Sequence, residues 1–278
     1  MGKASLHQKG RDALDQIKTF FTKTKSSQNT KALGDQLKIF SAENTKQIND
    51  DERKLLFDIA DDYLNDRDIV YYCMCALKCN IREGLIFMSN SVTTSRICAT
   101  TNSVSKVHQK DPLILNLMAS ILATLTQHME AVPFLIEGGF LANFLNMMEN
   151  VIALQEPKQT NENRGLMWCS RIFNNICLSG LCENENFKEF KMKALILLIK
   201  GMDSTSDYFT FEDSVDTIIH ICEKTNSKIM FRDYLNQNNF GYFLLIQFDR
   251  KYTVEEQTHF NKIYFRKLVD LQLVSPNK

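Results

Sequence analysis

Along this chain apolar residues recur at spacings of three and four almost from end to end, and no run alternates at two. The pattern therefore predicts helices and no sheet. Only four prolines and ten glycines interrupt it. A first helix is predicted from Gln8 to about Thr24, with Leu14, Ile17, Phe20 and Phe21 on one face. After the polar loop Thr24–Thr30, a second runs Lys31–Phe40 with Leu33, Leu37 and Phe40 together. Asn49 followed three residues on by Glu52 is a cap signature for a helix through Ile59 and Tyr63. Longer helices are predicted over Ile69–Ile81, Val92–Ser103, Pro112–Gln127, Leu166–Leu178 and Asp213–Cys222, with the apolar stretch Leu85–Met88 between the first two. Pro112 suits a first helical turn, and Leu115, Met118, Leu122 and Leu125 share a face behind it. A last helix, Thr253–Leu273, opens on the capping box Thr253-Val254-Glu255-Glu256.

One phrase is repeated: a turn, a short helix, a polar or glycine break and an apolar run. It occurs at Glu137–Met148, which contains Gly138-Gly139, at Lys191–Met202 and at Asn238–Ile246. The long helices supply a second register. Leu77, Leu125, Ile176 and Ile221 follow one another at 48, 51 and 45 residues, preceded by Ala76, Thr124, Asn175 and His220. Polar insertions at Gln155–Asn163 and Asp203–Asp207 account for the uneven spacing. A period of about fifty residues signals a helical solenoid, in which each unit hides its apolar face by stacking on the next.

The stretch from His128 through Glu137-Gly138-Gly139-Phe140-Leu141, followed by Ile172-Phe173-Asn174-Asn175-Ile176-Cys177, resembles one whole unit of the armadillo repeat family. Neighbouring units match more loosely and lack the paired glycines. The resemblance covers about Asp68 to Phe248. It implies an all-α fold, a right-handed armadillo-like α-solenoid of about four to five irregular helical repeats. On this reading residues 1–278 are a single helical-repeat domain: 1–67 capping helices, 68–248 armadillo-like repeats, and 249–278 a C-terminal capping helix. It further implies a concave groove that binds extended peptides or other proteins, lined by the third helix of each unit. The residues expected there are Ser120, Thr124, Gln127, Arg171, Asn174, Asn175, Asp216 and His220. Arg171 and Asn175 lie four apart and share a face, offering a cation and an amide to a peptide carboxylate and its backbone. The family's clamping asparagine maps onto Asn175 alone, and the tryptophan expected one turn earlier is Arg171. Binding of nuclear-localisation signals by an Asn and Trp ladder is thereby disfavoured.

Composition narrows the function classes. Lys+Arg and Asp+Glu balance at 33 each, so no global field attracts nucleic acid or an anionic membrane. Of eight cysteines, Cys98, Cys169, Cys177 and Cys222 sit inside apolar helical runs and are expected to be buried thiols. Cys73, Cys75 and Cys79 lack a second pair to complete four ligands, so no metal is expected. No phosphate loop, dinucleotide fingerprint, zincin helix or nucleophile elbow is present, and no enzyme activity or cofactor is expected. There is no signal-peptide core and no apolar run long enough to span a bilayer, while Gly2 lacks the Ser or Thr at position six, here Leu6, that myristoylation wants.

The expectation is a non-enzymatic protein–protein interaction scaffold or adaptor, or a structural subunit of a larger cytoplasmic or cytoskeletal assembly. It would bind a peptide or protein partner, with no small-molecule substrate and no membrane, and with nucleic acid disfavoured. An Asn-, Lys- and Gln-rich composition fits an AT-rich genome, as in ciliates, and makes a ciliary assembly the narrower expectation. The alternative is an RNA-associated helical-repeat protein. Its candidate basic edges are Lys262, Arg266 and Lys267, and Lys18, Lys23, Lys25 and Lys31.

Overall fold

Helix follows helix, with no strand, throughout the residues that this computed structural model describes, namely 2–23, 25–43, 48–82, 91–128, 131–137, 139–154, 164–180 and 187–274. The expected stretch Leu85–Met88, the loop Gln155–Asn163 and Gly138 lie outside them. Packing groups the chain into two compact units, Met1–Phe140 and Leu141–Lys278.

The first unit contains α1 (Gly2–Phe21), α2 (Ser27–Glu43), α3 (Asp50–Asp62), α4 (Arg67–Arg82), α5 (Ser91–Val107), α6 (Pro112–Thr126) and α7 (Val132–Glu137). Their order of packing is regular. α1 pairs with α2, α3 with α4 and α5 with α6, while α2, α4 and α6 stack in one ladder and α3, α5 and α7 in another. Both ladders start before residue 68, with α2 and α3. Leu14, Ile17, Leu33, Leu37 and Phe40 are buried as their spacing requires, whereas Phe20 and Phe21 remain half-exposed. Each full burial of such a side chain stabilises by about 1.5–3 kcal/mol.

Local chemistry sets the helix starts. Asn49 Oδ1 accepts from the Glu52 amide at 2.9 Å, and the Glu52 carboxylate accepts from the Asn49 amide at 3.0 Å, closing the expected capping box. Glu52 is 3% exposed, and its charge is paired with Arg11 of α1. A buried carboxylate needs that partner. α6 begins where Asp111 accepts from the amides of Leu113 and Ile114 at 3.0 and 3.1 Å, with Pro112 in the first turn.

The second unit contains α8 (Phe140–Ala153, of which Phe140 belongs to the first unit), α9 (Gly165–Leu178), α10 (Lys188–Ser204), α11 (Tyr208–Lys224), α12 (Lys228–Gln237) and α13 (Phe240–Lys251). It ends in α14 (Val254–Phe260), which runs through a π-helical turn, Asn261–Phe265, into α15 (Arg266–Asp270). α9 and α11 lie side by side, α10 packs on both, α12 on α11, and α13 on α12. Phe211 of α11 meets Phe248 and Tyr252 at ring-centroid distances of 5.4 and 5.0 Å, and Phe248 meets Phe260 at 4.3 Å. These rings join α11, α13 and α14 into one aromatic core.

Thr253 and Glu256 form the expected capping box at the start of α14. α15 then closes in a Schellman motif. Gln272 takes φ 60°, the Gln272 amide donates to the Val269 carbonyl at 2.8 Å and the Leu273 amide to the Leu268 carbonyl at 2.9 Å. The repeated phrase is realised in two of its three places. Gly139 (φ 70°) separates α7 from α8, and Asn239 (φ 52°) separates α12 from α13. Lys191–Met202 contains no break and lies wholly within α10.

Candidate functional site

The paired helices α9 and α11 bury Ile172, Phe173 and Ile176 on one and Val215, Ile218, Ile219 and Ile221 on the other. A polar edge remains along the pair. It carries Trp168, Arg171, Asn174 and Asn175 from α9, and Glu212, Asp213, Asp216 and His220 from α11, all of them only partly exposed. The register explains the edge. Ile176 and Ile221 are fully buried, so the residue before each, Asn175 and His220, is rotated by about 100° toward the boundary of the core.

The centre of this edge is a side-on ion pair. Arg171 donates through Nη2 and Nε to Asp213 Oδ1 at 2.8 and 3.0 Å, and the Ser170 hydroxyl donates to Asp213 Oδ2 at 2.9 Å. The guanidinium also lies 5.1 Å from the Trp168 ring, within cation–π range. Arg171 keeps 41% side-chain exposure against 22% for Asp213, so the acid is the more enclosed partner. A guanidinium has five N–H donors, and Asp213 takes those on two of its three nitrogens.

Arg171, expected to offer its cation to a peptide carboxylate, is already paired with Asp213 within the chain. Asn175 also has its own interactions within the chain. Asn174 differs, with its buried Oδ1 lacking a partner among the described residues. Asp216 and His220 approach to 3.8 Å, one turn apart on α11.

Toward the C-terminus the edge continues into α14. Tyr208 Oη lies 3.0 Å from His259 Nδ1, which is also 3.5 Å from Glu212 Oε1. Burial pushes the Glu212 carboxyl above the ordinary glutamate range, against the pull of the facing His259 and Tyr264. Burial, reinforced by the negative Glu212 and Glu256, raises the Tyr208 phenol to about 12.

The other three expected residues are on α6 in the first unit. Ser120 is a correction: at 1% exposure it lines no surface, and its hydroxyl donates to the Leu117 carbonyl at 2.8 Å. Thr124 is half-buried and donates to the Ser120 carbonyl at 3.0 Å. Gln127 is exposed at the C-terminal end of α6. Small hydroxyl residues inside a helix satisfy themselves on the preceding turn, which periodicity alone does not distinguish from a solvent-facing position.

Sequence reasoning passed over Asp213, Glu212, Tyr208 and His259. The signal for the first two was the pair Glu212-Asp213 with Asp216 following, an acidic face within one helix, but its basic partner lies 42 residues away at Arg171. Among the described residues, no group of three or more His, Cys, Asp or Glu side chains could hold a metal ion, and no helix is long and apolar enough to cross a membrane. Comparison of the chain with protein-family models, with curated proteins and with solved structures gives no match.

Proposed function

We propose that this chain is an armadillo-like helical-repeat protein that works by binding another protein, as a scaffold, adaptor or structural subunit of a cytoplasmic or cytoskeletal assembly. The observation that carries the reading is the α9/α11 pair. Equivalent isoleucines, Ile176 and Ile221, enter the core while the residues before them, Asn175 and His220, stay at a polar edge. A pair of stacked helices with such an edge presents amides, imidazole and a guanidinium at fixed positions on rigid elements. Recognition then draws on a few anchoring contacts rather than on chemistry. The ladders of the first unit support the same reading, because layers that pack only on their neighbours are how helical repeats are built.

The test uses Asn175→Ala with His220→Ala, since Arg171→Ala would also unpair the enclosed Asp213. A partner is first identified by cross-linking mass spectrometry on the native protein in cell extract, with cross-links to Lys200 or Lys224 marking this unit. The double variant then loses at least about tenfold in affinity for that purified partner with helicity unchanged. Unchanged affinity removes the edge from the reading. Retention that collapses between low and moderate salt, and that RNase abolishes, would replace it with the RNA-associated alternative.

A further inference from the structure

Lys191 stands inside α10 between Phe190 and Met192, and its side chain is drawn into the fold: the residue is 5% exposed. Its ammonium donates to the Ser227 hydroxyl at 2.7 Å, and among the described residues no carboxylate pairs with it. An ammonium carries three donors, so two find no acceptor within the described chain. A buried charge without a counter-charge is among the least favourable arrangements in a protein interior.

The place it faces has the same preference. Lys191 and Ser227 line a cleft of about 640 Å³ between α10 and α12, together with Lys188, Ile229, Met230 and Asp233. Ser227 is the N-cap of α12 and makes no side-chain cap bond of its own. The first-turn amides of Ile229 and Met230 have no acceptor within the helix, and the N-terminal end of a helix favours negative charge. Asp233, the acid in this lining, is exposed and forms no ion pair with Lys191. A buried cation, a hydroxyl and a helix start therefore converge at a cleft with space beyond a single small ion.

We propose that the α10/α12 cleft binds a phosphate-type oxyanion, with Lys191 supplying the charge and Ser227 and the first amides of α12 supplying hydrogen bonds. A phosphate group fits this donor set because its three terminal oxygens can each take a donor from a different direction. The remaining volume accommodates an organic substituent. The site is independent of the α9/α11 edge, so either reading can fail without the other.

The experiment titrates the full chain with inorganic phosphate and, in parallel, with glycerol 3-phosphate, against sodium chloride at matched ionic strength. Phosphate raises the melting temperature of the wild type, and the amide resonances of Ile229 and Met230 shift on titration. Lys191→Met, which keeps the length of the side chain and removes its charge, folds and loses at least about tenfold in phosphate affinity, the cost of one charge-assisted hydrogen bond. Lys224→Met, an exposed control outside the cleft, behaves as wild type. Tighter binding of glycerol 3-phosphate assigns the site to a phosphomonoester, and equal binding to the free ion. Each supports the proposal. No phosphate effect beyond chloride, equal response in Lys191→Met, equal loss in Lys224→Met, or amide shifts that spare Ile229 and Met230 would each overturn it. The amide shifts are read on the wild type, so this arm stands even if Lys191→Met fails to fold.

Discussion

Replacing Gly241 by alanine tests how the C-terminal segment is fixed to α13. Helix propensity alone favours the change by about 1 kcal/mol. Packing opposes it, because an added Cβ would lie 2.4 Å from the Leu273 carbonyl oxygen and 3.4 Å from Val274 Cα. A carbon and a carbonyl oxygen need roughly 3.3 Å, so the segment must retreat by about 1 Å. No rotamer change relieves the clash, since the obstacle is backbone held by the Gln272 and Leu273 amide bonds. Detaching the segment is worse: Leu271 and Leu273, both 4% exposed, would each forfeit about 1.5–3 kcal/mol of burial. Local overpacking costs about 1–3 kcal/mol, which leaves Gly241→Ala less stable by up to about 2 kcal/mol once propensity is deducted. Gly34 of α2 is the control. A Cβ there meets only Ile69 Cγ1 at 3.8 Å, an ordinary contact, and Gly34→Ala gains up to about 1 kcal/mol. Urea midpoints at unchanged m-value measure both, and hydrogen exchange of residues 268–273 reports the segment directly. Gly241→Ala more stable than wild type, or both glycines moving stability the same way, would refute the reasoning.

Gln272→Gly should raise the melting temperature by the equivalent of about 1 kcal/mol, because glycine takes the left-handed conformation without the Cβ penalty; a lower melting temperature would discount the Schellman geometry. At Asp111, burial works to raise the carboxyl, but the Ile114 amide, the Arg67 guanidinium and the Leu113 amide outweigh it and the net shift is down. A folded value below the unfolded one means stability that is present above about pH 4 and lost as pH falls through the folded value. Melting followed from pH 7 to pH 3 should therefore fall less steeply in Asp111→Asn than in wild type. A double-mutant cycle on Arg171→Ala and Asp213→Ala should give a favourable coupling of about 0.2–1 kcal/mol, as befits a partly exposed pair, and additive effects would deny the interaction. Burial raises the Cys98 and Cys222 thiols to about 12 and pushes Cys73 and Cys169 up as well. A brief iodoacetamide pulse at pH 8, read by peptide mass mapping, should accordingly label half-exposed Cys75 before any of these four.

Features encoded within one or two turns were legible. The capping boxes of Asn49 with Glu52 and Thr253 with Glu256, the first-turn Pro112, and the buried register of Leu77, Leu125, Ile176 and Ile221 all depend on residues a few positions apart, and the structure has each. The resemblance of Lys191–Met202 to a broken repeat phrase misled because Gly201 reads as punctuation. In the structure it lies in the last turn of α10, where a Cβ would stand 2.6 Å from Leu166 Cδ1 and 3.3 Å from Ile152 Cγ1. The glycine there admits a neighbouring helix rather than ending its own. The candidate edge was half legible: Arg171, Asn175 and His220 follow from helical spacing, but the grip of Asp213 on Arg171 is a product of tertiary packing across 42 residues. Ser120 failed for a related reason, since whether a hydroxyl faces solvent or its own backbone is decided by the helix packed above it. The buried state of Lys191 had no signal beyond its apolar neighbours.

The π-helical turn at Asn261–Phe265 makes the terminal helix tolerant of length in a way that the others are not. It holds one residue more than an α-helical turn needs, and its wider winding absorbs that surplus, so the helix beyond it keeps the facing it would have without the extra residue. Excising a single residue, Lys262 for instance, would rewind the turn to ordinary pitch and leave Leu268 and Leu271 interior. The same excision within the unbroken α11 would swing everything after it by about 100° and turn buried side chains to water. A one-codon deletion is thus a milder edit here than in any uninterrupted helix of the chain.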